Sequence, residues 1–287
     1  MLIALDMDGT LLNAEGQISP GNREAIQYAQ GKGHIVAIAT GRTYMDAEKQ
    51  LRMAGLECPV VSMNGAIVML SDGTRLAGTP LDKENVIPCL RWMSELTELY
   101  YEVYTDSGVF AELDKRVRME KLAQMEDGSV PENLRWLLRA LVNKQFRQAA
   151  VTYVEDMQYI WGDDNQVIYK TLVFSFHAEL LKEAGTRFSS AKGLIVTASH
   201  PNNLEINHEQ ATKGKGLAAL AAHYGMTMEQ VAVMGDSYND LPMFEEAGYR
   251  IAMGNAEPVL QEMAEFVTLH HDKDGVAAGI RHLLEKD

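Results

Sequence analysis

Leu2-Ile3-Ala4-Leu5-Asp6-Met7-Asp8-Gly9-Thr10 opens the chain with an unbroken apolar run that stops at an acid, followed by a second acid two positions on and a glycine. An unbroken run does not alternate as a one-sided strand would, so it suits a strand buried on both faces of a parallel sheet. Four more runs share the pattern: Ile35 to Ala39, Val60 to Met63, Val231 to Met234 and Ile251 to Met253. Between them, Tyr44, Ala47, Leu51 and Ala54, and later Leu217, Leu220, Ala221 and Tyr224, repeat at the three- and four-residue spacing of a helix. Gly33, Gly55, Gly225 and Gly248 stand where such helices would hand over to the next strand, as C-terminal caps do. Strand and helix in alternation predict an α/β fold, a doubly wound parallel-sheet core.

Each run ends at a small polar residue: Asp6, Thr40, Asn64, Asp236 and Asn255. Ligands of open parallel sheets bind beyond the carboxyl ends of the strands, so these side chains are expected to meet in one crevice. Any one of them alone reads as a turn or helix cap. The shared placement of all of them is what points to a site.

The 287 residues exceed the usual length of one domain and suggest two. The middle differs in composition, with 14 of the 21 aromatic residues, including Trp92, Trp136 and Trp161, falling between positions 82 and 207. Glu84 to Leu96 reads as a helix there, and Tyr100 to Tyr104, Val109 to Leu113 and Leu172 to Phe176 read as strands. An inserted α+β domain over 82–207 is expected, leaving a discontinuous core of 1–81 and 208–287. The crossings fall near Gly78-Thr79-Pro80 and Asn207-His208.

A net charge of −14 has the wrong sign for holding nucleic acid by phosphate neutralisation. No apolar run approaches the length that crosses a bilayer, and Asp6 and Asp8 interrupt any signal-peptide core, so neither membrane nor export is expected. Cys58 and Cys89 show no metal or disulfide spacing, which suits reduced thiols and a cytoplasmic protein.

Asp6 and Asp8 flank a turn that Gly9 permits, and Gly235-Asp236-Ser237-Tyr238-Asn239-Asp240 places further carboxylates at a second strand end. Asp6 with Asp236 makes an all-oxygen site for a hard cation such as magnesium, Mg²⁺. An EF-hand loop does not fit, since its sixth-position glycine comes at the fourth position and Gln17 replaces its terminal glutamate. His270-His271 lacks zinc spacing and reads as a solvated turn pair. Gly214-Lys215-Gly216-Leu217-Ala218-Ala219 satisfies a loose dinucleotide fingerprint, but polar residues from Asn207 to Lys213 precede it where a strand is required. Lys213 at that helix start, with the free amides there, would attract a phosphate, and a solvated lysine is the alternative.

Taken together, Asp6-Met7-Asp8-Gly9-Thr10, Thr40-Gly41-Arg42, Lys213-Gly214 and Gly235-Asp236-Ser237-Tyr238-Asn239-Asp240 resemble the four ordered motifs of the haloacid dehalogenase superfamily. The long insert between the second and third is similar to the C2 cap of its Cof-type phosphatases. Asn64-Gly65-Ala66, Met253-Gly254-Asn255-Ala256 and Asp274-Gly275-Val276-Ala277 match that branch as well. The resemblance implies that Asp6 is a nucleophile forming an aspartyl phosphate and that Asp8 is the general acid and base. It implies phosphate binding by Thr40, Gly41, Lys213 and Asn239. Magnesium would be held by the carboxylates of Asp6 and Asp236 and the Asp8 backbone carbonyl, with Asp240 behind them as a partner of a metal-bound water or the lysine. The short stretch from Gly9 to Ala39 leaves no room for another cap, so the insert is expected to face the leaving group and exclude water. Arg42, Asn64, Tyr104, Arg116, Arg118, Lys121 and His177 are candidate substrate contacts. A small phosphorylated metabolite is the expected substrate, sugar phosphates first and pyridoxal phosphate or flavin mononucleotide next, turned over by a monomer or homodimer. A nucleotide-cofactor oxidoreductase and a noncatalytic phosphometabolite-binding protein are the alternatives.

Overall fold

The computed structural model describes residues 1–124, 151–198 and 201–285. Trp136 lies outside them. The chain divides into two units, Met1–Thr79 with Gln210–Asp287, and Pro80–Glu209.

In the first unit, β1 (Leu2–Leu5) and β2 (Ile35–Ala39) coincide with the first two apolar runs, and β3 (Val60–Ser62), β12 (Val231–Gly235) and β13 (Tyr249–Ala252) overlap the others. Every residue of β1 is buried, as a strand covered on both faces requires. With β4 (Ile67–Met69), β5 (Arg75–Gly78) and β14 (Phe266–Val267), the described strands form one sheet in the order β14-β13-β12-β1-β2-β3-β4-β5. Pairing is parallel from β14 to β3 and antiparallel through β4 and β5. The antiparallel extension is absent from the sequence expectation, because three-residue β4 and half-exposed β5 give too short an apolar signal. The chain runs outward from β1 through β2 and β3, and outward from β12 through β13 and β14 in the opposite direction. The boundary between neighbouring β1 and β12 is therefore the topological switch point, where ligands of open sheets bind.

The helices start where their caps dictate. Ser19 accepts the Asn22 amide ahead of α1 (Pro20–Gly31), with proline at the first turn, and Thr43 accepts the Asp46 amide ahead of α2 (Tyr44–Met53). Gly33, Gly55 and Gly225 have the positive φ of C-terminal caps. Gly248 does not. It serves close approach instead, since a Cβ there would lie 2.2 Å from the Glu229 carbonyl oxygen.

In the second unit the described strands form one sheet in the order β10-β11-β9-β6-β7-β8. Its strands are β6 (Tyr100–Thr105), β7 (Val109–Glu112), β8 (Val151–Val154), β9 (Ile168–Phe174), β10 (Leu194–Thr197) and β11 (Asn203–His208). All pairs are antiparallel except β7 with β8. Tyr101 and Val103 of β6, Val173 and Ile206 share a core with α3 (Lys83–Ser94), α5 (Gln158–Trp161) and α6 (Ala178–Ser189). A further helix, α4, spans Leu113–Gln124. Cys58 and Cys89 are buried and free, and burial pushes the Cys58 thiol up to about 12. No helix among the described residues is long and apolar enough to cross a membrane.

Candidate active site

Asp6 follows β1 directly and its amide donates to the Met234 carbonyl of β12 at 2.9 Å, which brings the strand end bearing Asp236 beside it. Opposite stands Lys213, the first residue of α7 (Lys213–His223), whose Thr212 cap accepts the Lys215 amide. Lys213 is fully buried, and its Nζ donates to Asp6 Oδ1 and to Asp240 Oδ1, each at 2.6 Å. Burial opposes that positive charge, but Asp240 and then Asp6 outweigh it and hold the ammonium above its ordinary range.

Two glycines set the lysine there. A Cβ on Gly214 would lie 2.3 Å from the Pro242 carbonyl oxygen, and one on Gly216 would lie 2.4 Å from Val61 Cγ1. The dinucleotide-like spacing thus reflects close packing of α7 against β3 and α8 (Leu241–Glu246). The strand before it, β11, belongs to the antiparallel sheet of the second unit. Gly65 completes the fit, because a Cβ there would meet the Thr212 carbonyl oxygen at 2.0 Å. Met63, Asn64 and Gly65 all have positive φ, 49°, 58° and 101°, a rare run of left-handed residues held by the Met63 amide on Arg42 O and the Asn64 amide on Thr40 O.

Asp240 is fully committed. Oδ1 accepts from Lys213, while Oδ2 accepts the amides of Asp236 and Ser237 at 2.9 and 3.0 Å. It therefore braces the turn and the lysine. Asp236 accepts from the Thr10 hydroxyl at 3.2 Å, and Asn255 Nδ2 donates to the Gly9 carbonyl at 2.8 Å. Gly9 has φ 81°, and any Cβ there would fall 2.3 Å from Asp236 Oδ2.

Asp6, Asp236 and Asp240 offer carboxylate oxygens within 4.8 Å of one another. Burial, and then the charge on Asp240, push Asp6 well above the ordinary carboxylate range against the pull of Lys213. The same causes, in the same order, push Asp236 up to about 6. Asp6 Oδ2 is buried with no hydrogen-bond partner among the described residues. Three acids facing one ammonium, an orphaned carboxylate oxygen and all-oxygen donors are what a hard divalent cation would satisfy, so the residues present fit one.

Asp8 points differently. Its side chain is 52% exposed, and the Arg42 guanidinium grips it with Nε on Oδ2 and Nη2 on Oδ1, both at 2.7 Å. Arg42, expected to face substrate, is thus placed on the second aspartate. Its amide also donates to Thr40 Oγ1 at 3.2 Å, tying it to the loop of Thr40 and Gly41. Asn64 and Asn239, expected to contact substrate and phosphate, meet through Asn239 Nδ2 and Asn64 Oδ1 at 3.3 Å. Sequence reasoning assigned nothing to Thr10, although its place in the first motif was signal enough. The His270 side chain is 43% exposed, as a turn residue's is, whereas His271 is largely covered and its Nδ1 lies 2.8 Å from the Leu12 carbonyl oxygen.

The candidates in the second unit scatter. Tyr104 is buried and donates to Glu102 Oε2 at 2.7 Å; Arg116 pairs with Glu120 at 2.9 Å and lies over the Tyr153 ring. Arg118 and Lys121 are exposed on α4, and His177 is exposed just before α6. The sequence reading missed Glu102, Lys170 and Glu205, charged residues buried inside apolar strands.

The family model for haloacid dehalogenase-like hydrolases matches residues 3–280. Phosphatase YwpJ of Bacillus subtilis is 34% identical over 99% of both chains. The 5-amino-6-(5-phospho-D-ribitylamino)uracil phosphatase YwtE of the same organism is 35% identical, covering 98% of this chain and 97% of that one. A solved haloacid dehalogenase-like hydrolase from B. subtilis superposes with a TM-score of 0.84 at 32% identity, over 98% of this chain and 99% of that one.

Proposed function

The chain belongs to the haloacid dehalogenase-like hydrolases as a phosphatase of small phosphorylated metabolites, and from that premise we propose a magnesium-dependent reaction through an aspartyl phosphate on Asp6. The observation that carries this reading is Asp6 itself: one oxygen is fixed by Lys213, while the other is buried and unsatisfied at the sheet's switch point. A nucleophile held in this way loses little entropy on attack and carries no water shell to shed.

Asp6 and Asp236, with the Asp8 carbonyl, would hold the magnesium ion. When bound, the ion supplies positive charge against which a carboxylate and a phosphate dianion can approach. Lys213 adds a second fixed positive charge on the Asp6 side. Thr40, the Gly41 amide and Asn239 orient the phosphoryl oxygens. Asp8 protonates the leaving oxygen, then accepts a proton from the water that releases phosphate. Asp240 keeps Lys213 and the 236–237 amides in place.

The chemistry suits sugar phosphates or phosphorylated cofactors, and the YwtE likeness adds a phosphorylated ribityl compound to that class. A cytoplasmic monomer or homodimer completes the reading. The oxidoreductase alternative loses its motif, because Gly214 and Gly216 are occupied with packing. A binding-only protein would have no use for both Asp6 and Asp8.

Protein stripped with EDTA is expected to leave 4-nitrophenyl phosphate intact and to hydrolyse it once magnesium is returned. Undiminished hydrolysis without metal would overturn the proposed site. Ranking phosphorylated metabolites by kcat/KM then identifies the substrate.

A further inference from the structure

Asp8 has two jobs in the proposed reaction, and both need its carboxylate held in one orientation. Arg42 makes a two-pronged pair with both of its oxygens, at 2.7 Å each. Arg42 is largely covered but Asp8 is half-exposed, so solvent screens the pair and it adds little to stability. What it does fix is direction. A half-exposed aspartate samples several rotamers, whereas the fork is planar and holds the carboxylate in one orientation. Arg42 is itself anchored, since its amide donates to Thr40 Oγ1 and its carbonyl accepts the Met63 amide at 2.8 Å.

The fork does not occupy the whole carboxylate. Such a group offers about four lone-pair sites, so the two taken by Arg42 leave one on each oxygen free to accept from water. We infer that Arg42 is a positioning residue for Asp8, aiming its carboxylate at the water that hydrolyses the aspartyl phosphate; 4-nitrophenolate leaves without an acid, so that step is the one an aryl phosphate reads. In that step a water oxygen bonds to phosphorus while the bond from phosphorus to the Asp6 oxygen breaks, its electron pair returning to the Asp6 carboxylate. The water proton passes to Asp8 and is then available for the next leaving group.

The inference rests on the phosphatase reading above, and the two are separable by rapid mixing with 4-nitrophenyl phosphate and magnesium. The unmodified enzyme is compared with Arg42→Met, which removes charge and fork, and with Arg42→Lys, which keeps charge and loses the fork. Both variants are expected to release about one nitrophenolate per active site in a burst. A steady rate lowered about ten- to a hundred-fold follows, with kcat/KM changed less than about threefold. Arg42→Lys carries the same expectation should the methionine variant fail to fold. A raised KM at unchanged kcat would overturn the inference by making Arg42 a phosphate ligand, and so would a parallel fall in kcat and kcat/KM without a burst. If the unmodified enzyme released no nitrophenolate, the phosphatase reading would fall and this inference with it.

Discussion

Each unit of the protein buries a lysine against carboxylates, and the two burials differ in what they leave over. In the core, Lys213 serves Asp6 and Asp240 while Asp236 stands close by, and one oxygen of Asp6 has no hydrogen-bond partner among the described residues. In the inserted unit, Lys170 donates to Glu205 Oε2 at 2.8 Å, and both oxygens of neighbouring Glu102 accept tyrosine hydroxyls, from Tyr100 at 2.9 Å and Tyr104 at 2.7 Å. The second arrangement is matched donor to acceptor, as buried polar groups in a stable fold usually are. The first leaves a buried carboxylate oxygen without a donor, and a folded protein tolerates that where a ligand will satisfy it. The contrast separates a site from a scaffold without any appeal to motif.

The largest effect that can break this contrast comes from Asp6→Asn. Turnover of 4-nitrophenyl phosphate is expected to fall by about 10⁴-fold or more. The melting temperature of the metal-free protein should hold or rise, because a carboxyl held above its ordinary range is relieved of an unfavourable charge. A variant that lost activity through unfolding would place Asp6 among the scaffold instead. Lys170→Met should do the reverse, taking the cation from buried Glu205 and lowering unfolding free energy in urea by about 3 kcal/mol. A smaller effect distinguishes the core by pH. Asp236 titrates near 6 in the fold, above its unfolded value, so its contribution to stability is present in acid and disappears as pH rises through about 6. Magnesium binds the ionised form, and the rise in melting temperature it causes should be greater at pH 7.5 than at pH 5. An equal rise at both would remove Asp236 from the metal site. Least of all, Tyr104→Phe takes one hydroxyl from Glu102 and should cost about 1 to 2 kcal/mol, read by the same urea titration.

The parallel core could be read from β1 and β2 residue for residue, because strands covered on both faces write uninterrupted apolar runs. The acids at their ends were equally legible, since topology alone brings Asp6 and Asp236 together at the switch point. Three things were not. β4 and β5 pair with little apolar content of their own. Arg42 meets Asp8 across 34 positions, and nothing in either residue names the other. Glu102 stands among Tyr100, Tyr101, Val103 and Tyr104 with no local signal of its burial, yet all of β6 is buried. A buried charge in a strand becomes visible only when its partners, here two tyrosines on the same strand, are seen to reach it.

Gly65, Gly214 and Gly216 touch no reacting group, yet each stands where one added carbon would collide with the backbone or core beside Lys213. Their tolerance to substitution should therefore rival that of the acids they serve. A saturation screen scored by activity would rank structural glycines and chemical residues alike. Only a screen that also scored abundance would tell a misplaced lysine from a missing nucleophile.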